Sequence, residues 1–131
     1  MKRMLRIFSV LALMVCMMGV TQAFAQQKAQ IEAEELEFNF GQIKEADGNV
    51  QHIFKIKNVG TAPLVVTRVM SSCGCTTPKF SRDPIAPGKT GTITVVYNPT
   101  GRVYPFVKTV SVYSNGKEGP LVLTIKGEVV K

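Results

Sequence analysis

The 131-residue chain has no tryptophan, one histidine and only three cysteines. With His52 as the only histidine, hydrolytic schemes built on a serine, histidine and aspartate set have little support. Glycine-rich loops that cradle phosphate groups are also missing. Antibody-type domains pack a tryptophan against a disulfide between distant strands, and this chain cannot do so. These absences favour a protein that is not an enzyme and that needs no cofactor.

The first 25 residues have the three-part build of a secretory signal peptide. Three basic residues come first, an apolar stretch runs from Ile7 to Val20, and Ala23 and Ala25 are the small residues expected before a cleavage site. The apolar stretch is shorter than the roughly 20 residues that a membrane-spanning helix needs. The sequence therefore predicts cleavage after Ala25 and an extracytoplasmic location, periplasmic or secreted, without a transmembrane segment in the mature chain.

The residues after the leader are enough for one domain with one hydrophobic core. We expect a short linker over 26–34 and the domain over 35–131. Of the 16 basic residues, three lie in the leader, and the rest still outnumber the 9 acidic residues. We interpret them as solvated side chains on the outer faces of strands, with weak attraction to anionic envelope polymers as the alternative. Nucleic acid is not expected as a partner, because no aromatic and basic ladder is present.

Apolar and polar residues alternate in short segments of the domain, which is the period of β-strands. Turn residues such as Asn115-Gly116 separate these segments about every 8 to 12 residues. About seven strands are expected, including a short edge strand near residues 79–81. This pattern is typical of an all-β, immunoglobulin-like β-sandwich. We expect one interior to bury seven residues of these strands: Phe38, Phe54, Ile56, Val95, Val110, Leu123 and Ile125.

Five short motifs in the domain together resemble one bacterial family. They are Phe40-Gly41-Gln42-Ile43, Lys57-Asn58-Val59-Gly60, Ser72-Cys73-Gly74-Cys75-Thr76, Ile85-Ala86-Pro87-Gly88-Lys89 and Ile125-Lys126-Gly127-Glu128-Val129. From about Glu35 to Val130 the chain is similar to the domains of unknown function 1573. Those domains are similar in turn to immunoglobulin-like modules of the major sperm protein and hydin type. The resemblance implies a seven-stranded, extracytoplasmic sandwich without an established catalytic role.

Cys73 and Cys75 are the only thiols expected after export, because Cys16 lies in the leader. Residues i and i+2 of a regular strand have Cα atoms roughly 6.5 to 7 Å apart, so a disulfide would require Gly74 to bend the chain. The pair has four interpretations: a local disulfide or labile redox pair, free buried thiols, an intermolecular link, or a soft-metal site. Met70 would be the third ligand of a metal such as Cu(I), and His52 a distant fourth.

Arg102 and Tyr104 are the candidate binding residues. They lie in the predicted loop 100–105, and arginine and tyrosine dominate contact energies in many interfaces. The alternative is a turn that packs its own tyrosine, and the proline-bearing stretch 76–87 is a second candidate surface. The sequence thus predicts an exported, non-enzymatic module that binds another envelope protein or polymer. The alternative function is thiol-dependent, either copper binding or disulfide exchange, at Cys73-Gly74-Cys75.

Overall fold

The computed structural model describes residues 27–131, in which the chain forms eight strands and one short 3-10 helix over Glu45–Asp47. The expected signal peptide lies outside the described residues. The strands are β1 (Ile31–Ala33), β2 (Glu37–Lys44), β3 (Val50–Asn58), β4 (Val66–Ser71), β5 (Thr76–Phe80), β6 (Thr90–Tyr97), β7 (Pro105–Ser114) and β8 (Leu121–Val130). No helix within 27–131 is long and apolar enough to cross a membrane.

Two four-stranded sheets pack face to face. The first sheet has the strand order β1-β3-β6-β5, and the second sheet has the order β2-β8-β7-β4. Strands pair antiparallel except β2 and β8, which run parallel and are interrupted by a bulge between Asn39 and Gln42. The predicted edge strand is β5, which carries Pro78 at the margin of the first sheet, where proline breaks no central ladder. The architecture is the immunoglobulin-like β-sandwich expected from the alternation.

The core lies between the sheets and is built from the inward residues of every long strand. Of the seven residues expected to share it, six are buried. Phe38 is only half-buried, because it lies in β2 at the margin of the second sheet. It still packs against the core, so one apolar interior holds the domain together.

The segment 26–34, expected to be a linker, is part of the sandwich from residue 28 onward. Strand β1 pairs with β3, and Ala29 is buried. The backbone N–H groups of Val59 and Thr61 donate to the carbonyls of Gln30 and Lys28 at 2.9 and 2.8 Å. A three-residue strand is too short to show a period of two in the sequence, which is why the alternation does not reveal it.

The connecting segments gather at two ends of the sandwich. We call one end the Asn58 end, since β3 finishes there at Asn58; its segments are 59–65, 81–89 and 115–120. We call the other the disulfide end, because a disulfide joins Cys73 to Cys75 there. Its segments are 45–49, 72–75 and 98–104. The antiparallel registers fix this division, because each strand carries the chain from one end to the other.

Asn58 closes its own end of the sandwich from inside. It is 0% exposed, and its Nδ2 donates to the carbonyls of Ala62 and Ile85 at 2.7 and 2.9 Å. Its Oδ1 accepts from the N–H groups of Gly60 and Gln30 at 2.9 and 3.4 Å. Two donated and two accepted bonds use the full capacity of an asparagine amide. The Lys57-Asn58-Val59-Gly60 motif is therefore structural.

Candidate functional site

Cys73-Gly74-Cys75 forms the crossing from β4 in the second sheet to β5 in the first. A disulfide joins Cys73 to Cys75, and their Cα atoms lie 5.3 Å apart, closer than in a regular strand. The Ser71 hydroxyl donates to the Cys73 carbonyl at 2.9 Å, and the Thr76 N–H donates to the same carbonyl at 3.3 Å. Of the interpretations left open by the sequence, the structure contains the local disulfide, set in a hydrogen-bonded corner.

The structure does not bring the candidate metal ligands together. Cys75 is buried, whereas Met70 is 50% exposed and lies on the outer face of β4, since its neighbour Val69 packs inward. His52 lies in β3, which is separated from β5 by β6, so about 10 Å of sheet lies between their axes. Within residues 27–131, no three or more His, Cys, Asp or Glu side chains form a metal-holding group. A disulfide sulfur is also not a thiolate ligand.

His52 packs against aromatic side chains of β2 and β3. Its ring stacks on Phe38 with centroids 3.7 Å apart and meets the edge of Phe54 at 4.7 Å. Its Nε2 contacts Oε1 of Glu35. The only histidine of the chain is therefore occupied by aromatic and carboxylate neighbours.

Arg102 and Tyr104 lie in the segment 98–104 that joins β6 to β7 at the disulfide end. Tyr104 is 47% exposed, and its neighbour Val103 is also exposed. The segment is shaped by a turn in which the Arg102 N–H donates to the Pro99 carbonyl at 3.0 Å, and Gly101 adopts a φ of 74°. The predicted loop thus presents a tyrosine and a valine to solvent.

Two hydrogen bonds attach this loop to other segments beyond its own base. The Gly101 N–H donates to Oε2 of Glu45 at 3.2 Å, and the Val129 N–H donates to the Tyr104 carbonyl at 3.1 Å. A third bond ties the base of the loop to the disulfide corner, because the Asn98 N–H donates to the Cys75 carbonyl at 2.9 Å. The loop and the disulfide are therefore neighbouring parts of one surface.

Tyr97 is a site residue that the sequence alone did not reveal. It ends β6, is 0% exposed and stacks on Phe106 with ring centroids 4.0 Å apart. Burial raises the pKa of the Tyr97 hydroxyl, Tyr104 raises it further, and Arg102 partly offsets both. Arg102 and Tyr104 lie in the loop that directly follows Tyr97 in the chain. A hydroxyl at the end of a buried strand, just before a loop with an arginine, is the signal that could have indicated it.

Two polar side-chain atoms at this end are buried without a hydrogen-bond partner. They are Oη of Tyr97 and Nε of Arg102, and within the described part of the chain no other buried side-chain nitrogen or oxygen is left unpaired. Arg102 also has no carboxylate within ion-pair distance among residues 27–131. The disulfide end thus holds hydrogen-bonding capacity that the fold does not use.

A shallow cleft of about 430 Å³ borders the loop on the outer face of the second sheet. Its lining includes Pro105 and Val107, which directly follow the loop, and the amides of Asn39 and Gln42 at the β2 bulge. Val107 is among the exposed large apolar residues of the domain. The exposed surface of Val103 and Tyr104 therefore continues along β7.

The fold and this end define the class: an immunoglobulin-like β-sandwich with an exposed aromatic loop beside a disulfide corner. Residues 31–129 match the family model described as "Protein of unknown function (DUF1573)", and the chain belongs to that family. No curated protein matches the sequence.

Solved structures share the sandwich at low sequence identity. A protein of unknown function from Porphyromonas gingivalis W83 has a TM-score of 0.67 and 21% identity, over 84% of this chain and 51% of that one. The ASH/PapD-like domain of human CEP192 has a TM-score of 0.60 and 10% identity, over 79% and 87%. The VesB protease of Vibrio cholerae has a TM-score of 0.60 and 14% identity, over 78% and 32%. This chain spans about half the length of the Porphyromonas protein, and the likenesses show the fold alone.

Proposed function

We propose that the protein is an exported, non-enzymatic immunoglobulin-like module that binds another envelope protein or polymer through its disulfide end. The observation that carries this proposal is the loop 98–104. It exposes Val103 and Tyr104 and places the uncommitted Arg102 beside them. Aromatic and arginine side chains next to one another are the usual centres of contact energy in interfaces.

Two observations support export. The leader has the build of a signal peptide, and a disulfide between Cys73 and Cys75 persists best in an oxidising compartment. Binding in the periplasm or outside the cell is consistent with both.

The chemistry of the described residues supports a binding role over catalysis. His52 is engaged with Glu35 and stacked on Phe38, so it is not poised as a general base at the loop. Arg102 and Tyr104 can recognise a ligand by charge, hydrogen bonds and apolar contact, and none of these requires a cofactor.

The test is capture of a partner from envelope extract by immobilised protein. The Arg102→Ala/Tyr104→Ala double variant should lose capture while its melting temperature stays within about 2 °C of the parent, since the loop adds little to the core. A matched control is Lys117→Ala/Glu118→Ala, which alters two exposed residues at the Asn58 end. Undiminished capture by the folded loop variant would refute the proposal.

A further inference from the structure

The unpaired hydroxyl of Tyr97 and the unpaired Nε of Arg102 call for a physical explanation. Leaving a buried polar group without a partner is destabilising, and folded proteins rarely tolerate it. Here two such atoms occur at the same end of the sandwich, one on the last residue of β6 and the other in the loop 98–104 that directly follows it. At the Asn58 end, by contrast, the buried amide of Asn58 has a hydrogen-bond partner for each of its donors and acceptors.

We infer that Oη of Tyr97 and Nε of Arg102 are paired donors of a site for a carboxylate carried by an acidic segment of a partner protein. This inference rests on the proposed function and names the chemistry that the loop recognises. Nε–H of Arg102 can only donate and the Tyr97 hydroxyl can also donate, so a group that both share is an acceptor. The raised pKa keeps the tyrosine protonated at neutral pH, which preserves its role as a donor.

A carboxylate fits this donor pair for two reasons. The arginine guanidinium is a planar fork that matches a carboxylate and remains charged at every physiological pH. The surroundings are apolar, with Phe106 stacked on Tyr97 and with Val103 and Tyr104 exposed beside them. An acid held on a peptide, with apolar neighbours of its own, suits such a surface better than a free inorganic ion.

The Tyr97 hydroxyl is fully covered, so a carboxylate reaches it only if a neighbouring segment moves. The segment that we expect to move is the loop 98–104, which directly follows Tyr97. Beyond its base, which the Asn98–Cys75 bond holds, the loop is attached to its neighbours by the Gly101–Glu45 and Val129–Tyr104 bonds. Displacing the loop from Glu45 would expose both unpaired donors, and a bound carboxylate would then satisfy them. The two unsatisfied groups raise the free energy of the covered state, which favours this exchange.

The first test follows the arginine Nε–H signals by NMR during titration with a terminally blocked peptide of sequence Gly-Val-Glu-Val-Gly. The Arg102 signal, assigned by its loss in Arg102→Lys, should shift saturably. The signals of Arg68 and Arg82, which stack over Tyr113 and Phe80, are internal controls and should not shift. The matched peptide with Gln in place of Glu should bind at least tenfold more weakly. Equal binding of the two peptides would overturn the inference.

Inorganic phosphate forms a second arm of the same titration. A weaker effect of phosphate than of the Glu peptide supports the carboxylate assignment. A stronger effect of phosphate would overturn it in favour of a phosphorylated polymer. Equal shifts of Arg68, Arg82 and Arg102 would also overturn it, because they would indicate unspecific attraction to a basic protein.

The second test is Tyr97→Phe, which removes the hydroxyl and keeps the ring stacked on Phe106. The variant should bind the Glu peptide about tenfold more weakly, while its melting temperature stays the same or rises, since an unsatisfied buried group has been removed. Unchanged affinity would overturn the role of Tyr97. If Tyr97→Phe retains envelope capture and Arg102→Ala/Tyr104→Ala loses it, the inference fails and the proposed function stands. If both variants capture normally, the proposed function fails as well.

Discussion

The two ends of the sandwich use their polar groups in opposite ways. At the Asn58 end, one buried amide makes four hydrogen bonds to the backbone of three different segments. Asn115 also bridges backbone groups with its side-chain amide, nearer the surface. It accepts from the Val65 N–H at 2.8 Å and donates to the Pro63 carbonyl at 3.1 Å. At the disulfide end, Tyr97 and Arg102 keep buried donors unpaired.

This difference separates buried polar groups whose hydrogen bonds hold the fold together from buried polar groups that the fold leaves unpaired. A fully satisfied polar network rigidifies the segments that it joins. Unused donors beside exposed Val103 and Tyr104 leave the other end able to accept a ligand. The Asn58 hydrogen bonds give the Lys57-Asn58-Val59-Gly60 motif a role in stability, and the unpaired donors support the proposed role of the loop 98–104 in recognition.

Replacing Asn58 should have the largest effect on stability. Asn58→Ala leaves the N–H groups of Gln30 and Gly60 and the carbonyl of Ala62 without partners. The Ile85 carbonyl loses one of its two donors and keeps the Leu64 N–H. We expect a loss of about 3 to 5 kcal/mol, comparable with the core truncation Phe54→Ala. Urea denaturation of both variants measures this. A loss below about 1 kcal/mol for Asn58→Ala would break the contrast between the ends.

Removing the disulfide should have a smaller effect. The ring closed by Cys73 and Cys75 spans one residue, so it removes little entropy from the unfolded chain. Cys73→Ser/Cys75→Ser should therefore remain folded and lose about 1 to 2 kcal/mol, mainly through poorer packing of the buried Cys75. The same denaturation series provides the value. Failure of this variant to fold would mean that the disulfide end is also essential to the fold.

The smallest effect is a change of stability at alkaline pH. Because the pKa of Tyr97 is raised in the folded state above 10.0, the unfolded chain loses this proton first as the pH rises. The contribution of Tyr97 is complete below pH 10 and is lost as the pH rises through the folded pKa. Unfolding at pH 9 to 11 should therefore show a shallower decline for Tyr97→Phe than for the parent. Parallel declines would place Tyr97 outside a desolvated site.

Much of the fold could be predicted from the alternation of residues, because the period of two decides which side chains enter the core. Phe54, Val95 and Leu123 are buried for that reason. Strand β1 and the parallel pairing of β2 with β8 could not be predicted in this way. Both depend on contacts between distant segments, and such contacts leave no local pattern.

The candidate site was predictable only in part. Composition and position drew attention to Arg102 and Tyr104 in a loop, and spacing drew attention to Cys73 and Cys75. Tyr97 was not predicted as a site residue, because its position in the alternation of β6 is that of an ordinary core residue. Its unpaired hydroxyl is a property of the packed structure, and the sequence carries no record of which buried groups find partners.

Backbone hydrogen exchange of the parent protein, alone and in the complex that it forms in envelope extract, shows directly which end of the sandwich binds. Both ends are compared in one molecule, so no variant is needed. We expect the backbone amides of residues 98–106 to exchange more slowly on binding, and those of residues 115–120 at the Asn58 end to exchange at an unchanged rate. Protection over 115–120 with none over 98–106 would contradict this expectation.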